Sequence, residues 1–234
     1  CEHFFPDHDA LIDALVSRIV RVLERGIDEN DKATLAVSGG STPVPLFDAL
    51  SQEDMPGRHV QCALVDERWV PEHHEASNTA LVRKHLLRGK ARHARFQRTW
   101  VDHTDIEARV ATLNERGFWR DLSPTVCLIG MGGDLHTASI FPDADHTVRA
   151  LSDLAPAVMR TYPTGTPSNP PFDRVTLTMP VLKRSTEVVL LMKGDAKRER
   201  YEHAKTLSAD DAVSAPIASL IHDPDVRLEV YGSP

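Results

Sequence analysis

Three short stretches combine glycine, hydroxyl and charged residues in ways that can do chemistry, and each directly follows an apolar run. The first is Ser38-Gly39-Gly40-Ser41-Thr42-Pro43, after Ala33 to Val37. Two glycines permit a tight turn and a close backbone approach, Ser41 or Thr42 can cap a helix, and Pro43 suits a first helical position. A strand, such a turn and a helix start together offer free N–H groups and hydroxyls to a phosphate. The stretch is not a P-loop, since no Gly-Lys-Ser/Thr follows, nor a GxGxxG fingerprint. Read alone, it is equally a capped turn with no ligand.

The second stretch is Val65-Asp66-Glu67-Arg68-Trp69-Val70-Pro71, followed by Ser77-Asn78. Here Arg68 can hold a phosphate or carboxylate bidentately and Asp66 can orient it, or the two can form an ordinary surface pair. The third is Gly130-Met131-Gly132-Gly133-Asp134-Leu135-His136-Thr137-Ala138-Ser139. It reads as a glycine-rich turn opening a helix, with Asp134 as cap and His136 in the first turn. The helix dipole would then disfavour imidazolium and leave His136 able to accept a proton. Twelve histidines are present, and only position singles this one out. A fourth feature is Gly194-Asp195-Ala196-Lys197-Arg198, from which Lys197 can reach a nearby anion or simply be solvated.

The elements that must position these residues alternate. Strand-length apolar runs occur at Ala33 to Val37, Val60 to Val65, Thr125 to Ile129, Val175 to Met179, Val188 to Met192 and Val226 to Val230. Helical patterns at Thr79 to Leu87, Ile106 to Arg116 and Ala196 to Leu207 separate them. A further amphipathic helix precedes the first strand, with Leu11, Ile12, Leu15, Val16, Ile19, Val20 and Leu23 on one face, Asp7 or Asp9 as its cap and Gly26 as its end. The order βαβα predicts a three-layer α/β/α, Rossmann-like domain with a largely parallel sheet, occupying residues 1–234 as one unit. Ligands in such sheets bind outside the carboxyl ends of the strands, where the four stretches fall. The proline-rich segment Pro156 to Pro171 is expected to be a stiff loop.

Composition excludes several classes. The chain has 234 residues, 41% of them hydrophobic and 26% charged, as in ordinary globular proteins. Twenty-seven basic against thirty-four acidic residues give a formal charge of −7, which disfavours nucleic acid and acidic membranes as partners. No apolar run approaches the roughly 18 residues of a membrane helix. Three cysteines without a Cys-x-x-Cys pair fit neither a disulfide framework nor a zinc site, so a reducing, cytoplasmic location is expected.

In order and wording these stretches resemble the 6-phosphogluconolactonase family. The resembling segments are LAVSGGSTP at Leu35 to Pro43, VDERWVP at Val65 to Pro71 with Ser77-Asn78, GMGGDLHTASIFP at Gly130 to Pro142, PPFDRVTLTMPVL at Pro170 to Leu182 and GDAKRE at Gly194 to Glu199. The resemblance implies hydrolysis of 6-phospho-D-glucono-1,5-lactone to 6-phosphogluconate in the oxidative pentose phosphate pathway, without a metal or organic cofactor. It implies that His136 is the catalytic histidine and Arg68 the substrate-contacting arginine. It places the phosphate at Gly39, Gly40, Ser41 and Thr42, with Lys197 near it, and makes Asp134 a polar partner of the histidine. The only partner expected is the small sugar-phosphate lactone, with the chain a monomer or small homo-oligomer.

Two rivals are weighed against that reading. Glucosamine-6-phosphate deaminases and isomerases share the fold, but their motif HIAFNEP carries a carboxylate where Ile140-Phe141-Pro142 has none. Sugar-phosphate sensors usually add a DNA-reading helix-turn-helix, for which there is neither spare length nor basic surface. One departure concerns Leu135, where the family usually has glycine. We expect Gly132 and Gly133 to absorb any left-handed turn, leaving Leu135 helical, with negative φ, as an apolar wall of the site.

Overall fold

The computed structural model describes residues 1–54, 57–163 and 171–234. The strands are β1 (Glu2–Phe4), β2 (Ala33–Val37), β3 (Val60–Leu64), β4 (Asp66–Arg68), β5 (Arg95–Phe96), β6 (Val126–Ile129), β7 (Val158–Thr161), β8 (Arg174–Leu177), β9 (Glu187–Lys193) and β10 (Leu228–Ser233). The helices are α1 (His8–Asn30), α2 (Val44–Leu50), α3 (Asn78–His85), α4 (Ile106–Glu115), α5 (Gly117–Arg120), α6 (Thr147–Leu151), α7 (Met179–Lys183), α8 (Asp195–Thr206) and α9 (Ala218–Ile221). Seven strands form one sheet in the order β1-β10-β9-β6-β2-β3-β5, and each neighbouring pair is parallel.

Both faces of this sheet are covered, which is why its strands read as unbroken apolar runs. Successive residues alternate between two cores. Leu35 and Val37 of β2 and Val189 and Leu191 of β9 pack under α1, α2 and α3. Ala36, Val188 and Leu190 face the other core, which α7, α8 and α9 help to build. Chain order reverses between β2 and β6, and a crevice opens at that switch point.

Several expectations are corrected. Val175 to Met179 is not a strand of the parallel sheet: β8 pairs antiparallel with β4 and β7 in a separate three-stranded sheet, and Met179 opens α7. A strand-length apolar run records burial, not the sheet that supplies it. Asp7 caps α1 as expected, its Oδ1 accepting from the Ala10 N–H at 2.8 Å. Gly26, however, does not end that helix, which runs on to Asn30 with Asp31 in the left-handed region (φ 60°) as its C-cap. A Cβ at Gly26 would lie 2.7 Å from Thr125 Cγ2, so glycine there allows close helix-to-sheet packing. Within Pro156 to Pro171, Val158–Thr161 is strand β7, not loop, and residues 164–170 lie outside the described part. Among the described residues no helix is long and apolar enough to cross a membrane, and no cluster of His, Cys, Asp or Glu could hold a metal ion.

Candidate functional site

A cavity of about 290 Å³ opens at the carboxyl ends of β2, β3, β6 and β9. Of the nine residues picked out from sequence, Gly39, Thr42, Asp66, Arg68, Asp134, His136 and Lys197 line it. Gly40 and Ser41 are exposed at the tip of their turn, outside that lining. Gly40 has φ 91°, and a Cβ there would meet nothing within 4 Å among the described residues, so it serves the turn's conformation. Neither Ser41 nor Thr42 caps α2: Pro43 stands immediately before the first helical residue without a side-chain cap bond.

The third stretch is a tight loop, not a helix. The His136 carbonyl accepts from Gly132 N–H at 2.9 Å, Leu135 N–H donates to Gly132 O at 3.1 Å, and Thr137 forms isolated bridges to Met131 and Ile140. Leu135 has φ 70°, against expectation, because the loop must reverse between Asp134 and His136. Its side chain is 3% exposed and joins the hydrophobic core, where its carbonyl accepts from Ile217 N–H at 3.2 Å, instead of walling the cavity. The glycines before it could not absorb the turn, since the reversal falls between the two side chains themselves.

That reversal brings the two side chains together. His136 Nδ1 lies 2.5 Å from Asp134 Oδ1, and the same oxygen accepts from the His136 N–H at 3.3 Å. The carboxylate, not a helix dipole, therefore sets the tautomer: Nδ1 carries the proton and Nε2 is left as an acceptor. Burial works to raise the Asp134 pKa, but the hydrogen bond and charge of His136 outweigh it and hold it below its ordinary value. Gly132 makes room for the pair, since a Cβ on it would stand 2.1 Å from His136 Nδ1 and 2.3 Å from Asp134 Oδ1. The Phe141 ring, centred 5.1 Å from the imidazole, backs it.

On the opposite wall, Asp66 and Arg68 lie on β4, a short strand where a loop is the simpler expectation. Asp66 Oδ2 accepts from Ser139 Oγ at 2.7 Å, joining the second stretch to the third. Arg68 Nη1 donates to Ala76 O at 2.9 Å and to Asn78 Oδ1 at 2.8 Å. Between them Glu67 is fully buried and accepts from the N–H groups of Arg68, Asn78 and Thr79, each at 2.8 Å. Burial still leaves its pKa above the ordinary value, against those hydrogen bonds. Behind Arg68, and paired with it in register, the Arg174 guanidinium is buried, and its pKa falls to about 10.

Lys197 sits in the first turn of α8, where Gly194 (φ 92°) turns the chain into the helix. Its Nζ donates to Met131 O at 2.7 Å, leaving donors for a ligand, and burial lowers its pKa although Asp134 opposes this. Arg200, one turn on, donates from Nε to Gly133 O at 2.7 Å. Sequence reasoning missed Arg200, Glu67, the Asn78 side chain, Ser139, and Lys193 at the cavity mouth. For Glu67 and Asn78 the signal was their place inside and just after the charged stretch; for Arg200 there was none, because only the fold brings α8 over the loop.

A sequence profile described as "Glucosamine-6-phosphate isomerases/6-phosphogluconolactonase" matches residues 6–228. A 6-phosphogluconolactonase of Pseudomonas putida is 34% identical over 233 residues, covering 99% of this chain and 92% of that protein. One from Neisseria meningitidis serogroup A is 36% identical over 193 residues, 82% of each chain. A crystal structure of a 6-phosphogluconolactonase from Shewanella baltica superposes with a TM-score of 0.90 at 34% identity, covering 100% of this chain and 97% of that one.

Proposed function

The chain belongs to the family of glucosamine-6-phosphate isomerases and 6-phosphogluconolactonases, and we propose that it hydrolyses 6-phospho-D-glucono-1,5-lactone to 6-phospho-D-gluconate with His136 as general base. The observation that carries the mechanism is the Asp134–His136 pair on the cavity wall, with Nδ1 engaged and Nε2 left as acceptor. A lactone is already electrophilic, so the protein has only to position a water, take its proton and hold the ring in place.

His136 Nε2 removes a proton from water as its oxygen attacks C1. The resulting imidazolium, held by the Asp134 carboxylate, returns that proton to the ring oxygen as the C1–O bond breaks. Gly39 and Thr42, with the cations of Arg68 and Lys197, anchor the phosphate at the far end of the substrate. A cavity of about 290 Å³ is at the small end of ligand sites and suits a single sugar phosphate. Phe141, 2% exposed and tilted by 51° against the His136 ring, stands where the deaminase motif carries its carboxylate. We further read the chain as one cytoplasmic domain that works as a monomer or small homo-oligomer on a small-molecule substrate, not on nucleic acid.

Product formation creates a carboxylic acid that ionises at neutral pH, so each turnover releases one proton. Adding freshly generated phosphogluconolactone to the purified protein in a pH-stat should give proton release far above the spontaneous rate. Release no faster than the blank would overturn the assignment.

A further inference from the structure

Arg68 is useful to an anion only if its long side chain is held, and a three-residue strand does not do that by itself. Its guanidinium is fixed at Nη1, which donates to Asn78 Oδ1 and to Ala76 O. Among the described residues Nε is buried and has no hydrogen-bond partner. With Nη1 engaged and Nε buried, Nη2 is the donor that the guanidinium can present to an oxyanion.

Asn78 is 1% exposed yet borders the cavity. Besides accepting from Arg68, its Nδ2 donates to Asp66 O at 2.8 Å. It also fills the space over Gly39: a Cβ there would lie 1.8 Å from Asn78 Oδ1. Its own position is set from below, where the buried Glu67 carboxylate accepts from the first N–H groups of α3 and from Thr79 Oγ1 at 2.7 Å. One amide thus touches the turn after β2, the backbone of Asp66 and the guanidinium of Arg68.

We propose that Asn78 is a positioning residue for the anionic end of the substrate, locking the Gly39 turn to Arg68 so that both meet one phosphate. This rests on the sugar-phosphate reading above. It explains why the residue at position 39 is glycine in terms other than phosphate approach: a side chain there would expel Asn78 from its seat.

The test is a set of variants read by calorimetric binding of 6-phosphogluconate and by kcat and KM on the phosphorylated and unphosphorylated lactones. Asn78→Ala should weaken phosphogluconate binding about tenfold and raise KM for the phosphorylated lactone in step, while KM for the unphosphorylated lactone stays put. Combined with Arg68→Ala it should add less than its loss alone, because part of its effect passes through that guanidinium. Gly39→Ala should mimic the loss, and its effect should vanish in the Asn78→Ala background, where the clash is gone. Asn78→Asp keeps the shape and gives a folded second variant; its charge should compete with phosphate for Arg68 and again weaken binding. Parental affinity in both Asn78 variants, additive losses with Arg68→Ala, or equal losses on both lactones would overturn the proposal while leaving the lactonase reading intact. A parent protein that neither binds phosphogluconate nor hydrolyses its lactone would overturn both.

Discussion

Replacing Leu135 by glycine and, separately, by alanine should invert the usual ranking of those two residues. Both changes remove a side chain that is 3% exposed in the core, a loss of about 2–5 kcal/mol. They differ in the backbone. At φ 70° a Cβ costs about 1–2 kcal/mol, a strain that glycine relieves and alanine keeps. Against this, glycine loses about 0.5–1 kcal/mol more conformational freedom on folding. The balance favours the glycine variant by about 0.5–1 kcal/mol, whereas at an ordinary negative-φ site alanine would be ahead. For a chain of this length that is about 1–4 °C in Tm, within reach of paired calorimetric scans. Both variants should melt below the parent, with Leu135→Gly above Leu135→Ala. An alanine variant as stable as the glycine one, or more so, would refute the left-handed loop.

Other substitutions test neighbouring parts of the structure. Asp134→Asn should lower kcat by about 10²-fold or more with little change in KM, because an amide can donate to Nδ1 as well as accept from it and carries no charge to hold the imidazolium. Gly132→Ala should reduce kcat at least about tenfold while leaving phosphogluconate binding within a few fold, since its methyl displaces the Asp134–His136 pair. The Asp134 pKa is depressed on folding, so its contribution to stability is present above the unfolded value near 3.8 and is lost as pH falls through the folded value. Acid unfolding of Asp134→Asn should accordingly be less steep below about pH 4 than that of the parent, as followed by circular dichroism. Far from the cavity, Arg18 holds the fully buried Glu187 through Nε–Oε1 (2.9 Å) and Nη2–Oε2 (2.6 Å). Arg18→Ala should cost about 3 kcal/mol in urea unfolding and leave kcat unchanged.

The parallel sheet was legible because its strands are buried on both faces and so stand out as apolar runs; Ala33 to Val37 coincides with β2. Chemistry at the carboxyl ends followed from that topology, which is why seven of the nine chosen residues meet in one cavity. What could not be read was anything decided by contacts distant in sequence. The antiparallel pairing of β8 with β4 joins segments about a hundred residues apart, and neither carries a periodicity that names its partner. Asp134 and His136 were legible as a pair of types, but glycine, aspartate and histidine at that spacing suit a helix start as well as a reversed loop. The choice is made by the core that takes up Leu135 and by Lys197 and Arg200 binding the loop carbonyls from α8.

The most direct test of His136 as the base is the kcat of His136→Asn on freshly generated phosphogluconolactone, corrected for spontaneous hydrolysis. The asparagine keeps a polar side chain in the cavity but cannot take a proton from water. A fall of about 10²–10⁴-fold, with phosphogluconate affinity and Tm near those of the parent, is the expected result. A kcat within a few fold of the parent would contradict it, and the base would have to be sought among the other groups lining the cavity.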